Sequence, residues 1–78
     1  MKTLKIITLG LVLFMVSCGS NPDKSRNFYD QGLDYLYASQ FEESIEYFDK
    51  AIKYDQNNHE AYFHRGCAKY NIFQREAA

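Results

Sequence analysis

The chain has 78 residues, 46% of them hydrophobic and 17% aromatic, with seven Tyr, six Phe and no Trp, so there is room for one small domain at most. Its formal net charge is −1. Beyond residue 17, seven Lys/Arg stand against ten Asp/Glu, a balance of −3, which argues against a nucleic-acid interface or a polybasic membrane surface.

The amino terminus opens with Lys2 and Lys5 and continues as an apolar run of 11 residues, Ile6 to Val16. A bilayer span needs about 20 apolar residues, so this run is expected to be a secretory signal over 1–17 and not a transmembrane helix. It ends Met15-Val16-Ser17-Cys18-Gly19, which resembles the lipobox of bacterial lipoproteins, with Met15 where Leu is more usual. The resemblance implies lipid attachment to the Cys18 sulfur, cleavage before it, acylation of the new amino terminus, and residence in the bacterial cell envelope as a membrane-anchored protein. Two or more acyl chains anchor stably where one does not. The alternative is an ordinary cleaved signal with an incidental Cys. Residues 18–24 then read as the lipidated Cys and a tether, because Gly19, Ser20, Asn21 and Pro22 argue against helix.

From Ser25 onward the pattern is helical. The first helix is expected over Arg26–Ala38, capped by Ser25, whose hydroxyl can accept from an orphan amide. It has one apolar stripe through Phe28, Gly32 and Tyr35 and a second through Tyr29, Leu33, Leu36 and Tyr37, so both faces should be covered. Gly32 costs about 0.5–1 kcal/mol relative to Ala in a helix, which points to close helix approach as its compensation. The junction Ala38-Ser39-Gln40 is short enough to demand an antiparallel helical hairpin.

The second helix is expected over Phe41–Tyr54, with Phe41, Ile45, Phe48 and Ile52 in one stripe and Ser44 and Ala51 as small neighbours. Ser39 and Glu42 have capping-box spacing. Glu42 and Glu43 open the helix and Lys50 and Lys53 close it, as the dipole favours. Glu46 to Lys50 and Asp49 to Lys53 are i,i+4 pairs of a solvated face. Asn57 or Asn58 can cap a third helix over Glu60–Ile72, where Tyr62 and Gly66 repeat the packing face of the first.

The unit recurs at an offset of 34: Phe28 and Tyr29 map onto Tyr62 and Phe63, Gly32 onto Gly66, Gln40 onto Gln74, and Glu42 onto Glu76. That period marks a stacked helical array, and these residues resemble the tetratricopeptide repeat. Phe28, Gly32, Tyr35, Ser44, Phe48 and Ala51, followed by Tyr54-Asp55-Gln56-Asn57-Asn58, carry the resemblance. Departures are Gln31 and Arg65 in a place usually held by Leu, Gln56 for Pro, Lys69 for the second Tyr, and Phe73 and Arg75 at the second junction.

The resemblance implies an all-α fold: a repeat hairpin over 25–58 plus the first helix of an incomplete second unit over 59–78. About three repeats are usually needed for stability, and here there is about one and a half. Ala78 falls where Ser44 stands, so a fourth helix should just have begun. The expectation is a fragment of a longer array without independent activity, or completion of the missing layer by self-association.

In the family the second face of the first helix of each unit lines a concave groove. Carried over, the groove is Tyr29, Leu33, Leu36 and Tyr37 with Phe63, Cys67 and Tyr70, extended by Glu60 and Asn71. Some members clamp a peptide carboxylate with Lys and Asn. The corresponding positions here are Tyr29, Leu33, Phe63 and Cys67, so that clamp should be absent. An aromatic and aliphatic groove suits an amphipathic helix or an extended apolar peptide of a protein partner. The same side chains could equally pack against a missing part of the chain.

His59, His64 and Cys67 are the only soft-ligand cluster. His64 and Cys67 can share a helix face, but His59 lies about 140° from His64 around an ideal helix. Two ligands fall short of a four-coordinate structural zinc site, which leaves solvent-facing His and packed Cys as the commoner outcome. A Cys67–His64 nucleophile pair lacks an orienting third group. No phosphate loop or complete triad is visible. The sequence therefore points to a lipid-anchored, non-enzymatic binding protein without a cofactor. The alternative from another class is a small metal- or thiol-dependent protein using His64 and Cys67.

Overall fold

The structure is a computed structural model that describes residues 20–77. The segment 1–17 expected to be a signal, the lipid-site candidate Cys18 and the terminal Ala78 lie outside the described residues. Three helices follow one another: α1 (Pro22–Tyr37), α2 (Phe41–Tyr54) and α3 (His59–Ala77). The described residues contain no strand. The fold is thus all-α, a helical hairpin with a third helix laid on it, as the periodicity implies. α1 packs on α2 and α2 on α3, while α1 meets α3 at only a few points.

The core is centred on α2. Phe48, Ser44 and Ala51 are fully buried, together with Ala61 and Ala68 of α3. Small walls around one ring allow the helices to approach closely, and Gly32 sets the limit. A Cβ built on Gly32 would lie 2.6 Å from Cε1 of Phe48 and 2.7 Å from its Cδ1, whereas one built on Gly66 meets nothing within 4 Å. Two glycines that correspond at an offset of 34 therefore have opposite surroundings.

Beside this core runs a row of rings. Tyr54 stacks on Phe28 at 5.6 Å, Phe28 tilts against Tyr47 at 6.3 Å, and Tyr47 stacks on Tyr35 at 5.1 Å. Lys24 lies 4.6 Å from the centre of the Tyr54 ring and Lys50 lies 4.7 Å from that of Tyr47, each a cation over a π face. The expected Glu46–Lys50 and Asp49–Lys53 pairs give way to this arrangement. Asp49 instead binds Arg65 of α3 at 2.8 Å.

Helix ends depart most from the sequence reading. α1 begins at Pro22, four residues before Arg26, so Pro22, Asp23 and Lys24 are helical and not tether. Proline fits the first helical position because no amide is needed there. Asn21 is the cap, its side chain accepting from the Lys24 amide at 3.2 Å, and its own amide donates to the Tyr54 carbonyl at 2.7 Å. Ser25 is not a cap.

The Ser39–Glu42 capping box is absent as well. Ser39 takes a left-handed conformation, φ 60°, and ends α1 in a Schellman arrangement: Gln40 donates to Tyr35 O at 2.9 Å and Ser39 to Leu36 O at 3.0 Å. Gln40 therefore precedes α2 and makes no side-chain cap bond.

α3 passes through the expected stop at Ile72 and continues to Ala77. Phe73 occupies the position of Ser39, and a bulky aromatic is disfavoured in the left-handed turn that Ser39 tolerates. Arg75 also hydrogen-bonds Glu42 at the start of α2, which holds the extension down. That bond lowers the Glu42 pKa. The pair is exposed, so its contribution is small. It is present above the ordinary Glu range and lost as pH falls through the lowered value.

The two glycines make a paired prediction. Gly66→Ala should raise the urea midpoint, by about 0.5–1 kcal/mol of added helix stability. Gly32→Ala should lower it despite the same propensity gain, because the new methyl collides with Phe48. Denaturation followed by circular dichroism reads both, and shifts of the same sign would contradict the packing described.

Candidate binding surface

Three helix ends meet at one end of the molecule and are tied by side chains. The Ser25 hydroxyl, 1% exposed, donates to the Ala51 carbonyl at 2.7 Å and accepts from Asn58 Nδ2 at 3.0 Å. Asn58 Oδ1 accepts from the Ala61 amide at 3.1 Å, which caps α3 as one of the two expected Asn residues. No buried polar side-chain atom among the described residues lacks a partner. Next to this knot lies a polar cavity of about 510 Å³ whose lining includes Asp23, Arg26, Tyr29, Asp55, His59 and Glu60.

His64 joins α1 to α3. Its ring is 5.5 Å from Tyr29, 6.1 Å from Phe48 and 5.1 Å from Phe63, and it is half-buried instead of solvent-facing. Nδ1 lies 2.9 Å from the Glu60 carbonyl and 3.1 Å from the Tyr29 hydroxyl. A carbonyl only accepts, so Nδ1 is the donor in this contact and the lone pair is on Nε2. Burial, reinforced by the charge of Glu60, raises the Tyr29 pKa. His59 is exposed and Cys67 half-buried without a disulfide. No group of three or more His, Cys, Asp or Glu among the described residues could hold a metal ion.

The residues carried over as a groove fall on two helices, α1 and α3, that meet at only a few points. Tyr29 turns to His64 and Phe48, Leu33 and Leu36 are half-buried, and Tyr37 is 76% exposed. Phe63, Cys67 and Tyr70 do come together, in an apolar hollow of about 470 Å³ completed by Tyr62, Gly66 and Asn71. Phe63, Tyr70 and Phe73 are 67%, 61% and 65% exposed and Tyr62 is 41% exposed.

This outer face of α3 thus joins groove residues to Tyr62 and Gly66, which the sequence reading assigned to a separate packing face, and to Phe73, which it placed in a turn. The signal for the whole face is the spacing of Phe63, Gly66, Tyr70 and Phe73, alternately three and four apart.

The polar knot is the more sensitive part for stability. Ser25→Ala should cost about 1–3 kcal/mol, because the half-buried Asn58 amide loses its acceptor and the Ala51 carbonyl its donor. Ser20→Ala, at an exposed position, should leave the denaturation midpoint where it is; equal shifts would show that Ser25 bridges nothing. No protein-family model matches the chain, and neither a curated protein nor a solved structure matches it.

Proposed function

We propose that this is a non-catalytic, lipid-anchored binding protein of the bacterial cell envelope, built as a short array of the tetratricopeptide type, that receives an amphipathic helix of a protein partner on the outer face of α3. The observation that carries the reading is the open hollow around Gly66. It is walled by apolar and aromatic side chains, and a clustered exposed apolar surface of this kind marks an interface. Its stripe runs along a helix, so a partner helix can match it anchor for anchor. The repeat offset of 34 and the aromatic-glycine pattern support the array assignment.

The anchoring half of the proposal rests on Met15-Val16-Ser17-Cys18. Attachment is assigned on that motif to acyl chains on Cys18, with α1 starting four residues later at Pro22; the described residues contain no helix long and apolar enough to cross a membrane.

Both halves can be tested in cells. A photo-crosslinking phenylalanine analogue replacing Tyr70 should give a discrete protein adduct that Phe63→Glu abolishes, while the same analogue replacing the exposed Lys53 should give none. Equal adducts from both positions would overturn the surface assignment. Fatty-acid labelling should mark the wild-type chain and be lost on Cys18→Ser, since serine cannot form the thioether; undiminished labelling would remove the anchor.

A further inference from the structure

α3 turns Ala61 and Ala68 to α2, where both are fully buried. On its other side His59, Phe63, Gly66, Tyr70, Phe73 and Ala77 succeed one another at alternating spacings of four and three. That is the spacing of one seam of a two-stranded coiled coil. The seam runs the full length of the helix, and its central position is a glycine with nothing within 4 Å of where a Cβ would be. We propose that the occupant of this face is the same face of a second copy of the chain, in antiparallel contact about a two-fold axis. The inference rests on the reading of the face as a binding surface and names its partner.

Shape complementarity selects the antiparallel arrangement. A two-fold axis level with Ala68 brings all six seam positions into contact. Gly66 then lies opposite Tyr70 of the second copy, Phe63 opposite its Phe73, and His59 opposite its Ala77. Tyr70 meets the space left by Gly66 and His59 meets Ala77, while Phe63 and Phe73 pair ring to ring in the layers between. A parallel pair would set Gly66 against Gly66 and Tyr70 against Tyr70, leaving a void in one layer and crowding the next. Sliding the antiparallel pair by one heptad either way leaves a third of the seam uncovered.

The flanks fit too. Glu76 falls beside Tyr62 of the second copy, and Cys67 falls near its own counterpart close to the axis. Lys69 also approaches its counterpart, at the outer edge, where its long stem lets the ammonium stay in water.

The area is sufficient. Tyr62, Phe63, Tyr70 and Phe73 are 41%, 67%, 61% and 65% exposed. At about 200 Å² for each fully exposed ring, these four contribute roughly 450 Å² per chain and roughly 900 Å² to a pair. Gly66, Cys67, Gln74 and Ala77 bring the contact to the roughly 1,000 Å² that separates specific interfaces from incidental ones.

The test uses the full chain carrying Cys18→Ser, so that Cys67 is its only thiol, in a mild non-ionic detergent. Sedimentation velocity should show a reversible dimer, and a short bismaleimide should link Cys67 to Cys67. Gly66→Tyr should weaken the dimer by about tenfold or more, since ring then crowds ring, with helicity unchanged because that position is empty within the chain. Adding Tyr70→Gly to Gly66→Tyr exchanges large for small on both copies and should restore the dimer. Association through residues 6–16 would be indifferent to these changes, so a dimer insensitive to Gly66→Tyr overturns the inference. A chain that stays monomeric overturns it as well, and if Tyr70 still crosslinks another protein in cells, the binding-surface reading stands while self-pairing falls.

Discussion

Gly32 against the ring of Phe48 is the contact on which the rest of the molecule depends. Phe48 is the one large side chain that is fully buried, and the residues around it are small: Ser44, Ala51 and Ser25, with Gly32 beneath the ring. Any side chain at position 32 would push α1 away from α2, separating Ser25 from Ala51 and Phe28 from Tyr47 and Tyr54. Losing a buried ring costs about 3–5 kcal/mol, set against a total of about 5–15 kcal/mol for a typical domain. The row of rings through Phe28 and Tyr47 bridges the same two helices, so it depends on the approach that this one contact sets.

The ends of the helices solve a different problem. Each helix leaves orphan amides and carbonyls, and here Asn21, Ser25 and Asn58 satisfy several of them while also joining separate helices. Short loops make this possible, since the turns after Tyr37 and Tyr54 return the chain within three or four residues. Polar satisfaction and the angle between helices are therefore set by the same side chains.

Periodicity made the middle of the chain legible. Phe28, Gly32, Phe48 and Ala51 could be placed from spacing alone, because burial is what selects apolar residues at helical intervals. Capping was not legible in the same way. Ser25, Ser39, Asn21 and Asn58 all have side chains able to cap, and which one does so depends on tertiary partners: Ser25 was drawn inward by Ala51 and Asn58, which left the cap to Asn21. The end of α3 was hidden for a related reason. Matching Phe73 to Ser39 predicted a turn, but the physical requirement of that turn is a left-handed backbone, and Phe73 opposes it. As for the surface, three of the seven groove residues share the α3 hollow. The other four depend on how far α1 stands from α3, and no spacing within one helix encodes that distance.

The hydrogen bond from the Asn21 amide to the Tyr54 carbonyl, 2.7 Å long, has a mechanical consequence. A pull on the chain ahead of residue 21 does not reach α1 by itself. It arrives at a point clasped to the far end of α2, with Lys24 over Tyr54 and Ser25 on Ala51 immediately behind. Peeling α1 from its neighbour would have to break these contacts in succession, beginning with the clasp, so the first two helices take up tension as one piece. α3 joins that path only through its first residues, where Asn58 holds the Ser25 hydroxyl, so its far end lies away from the load.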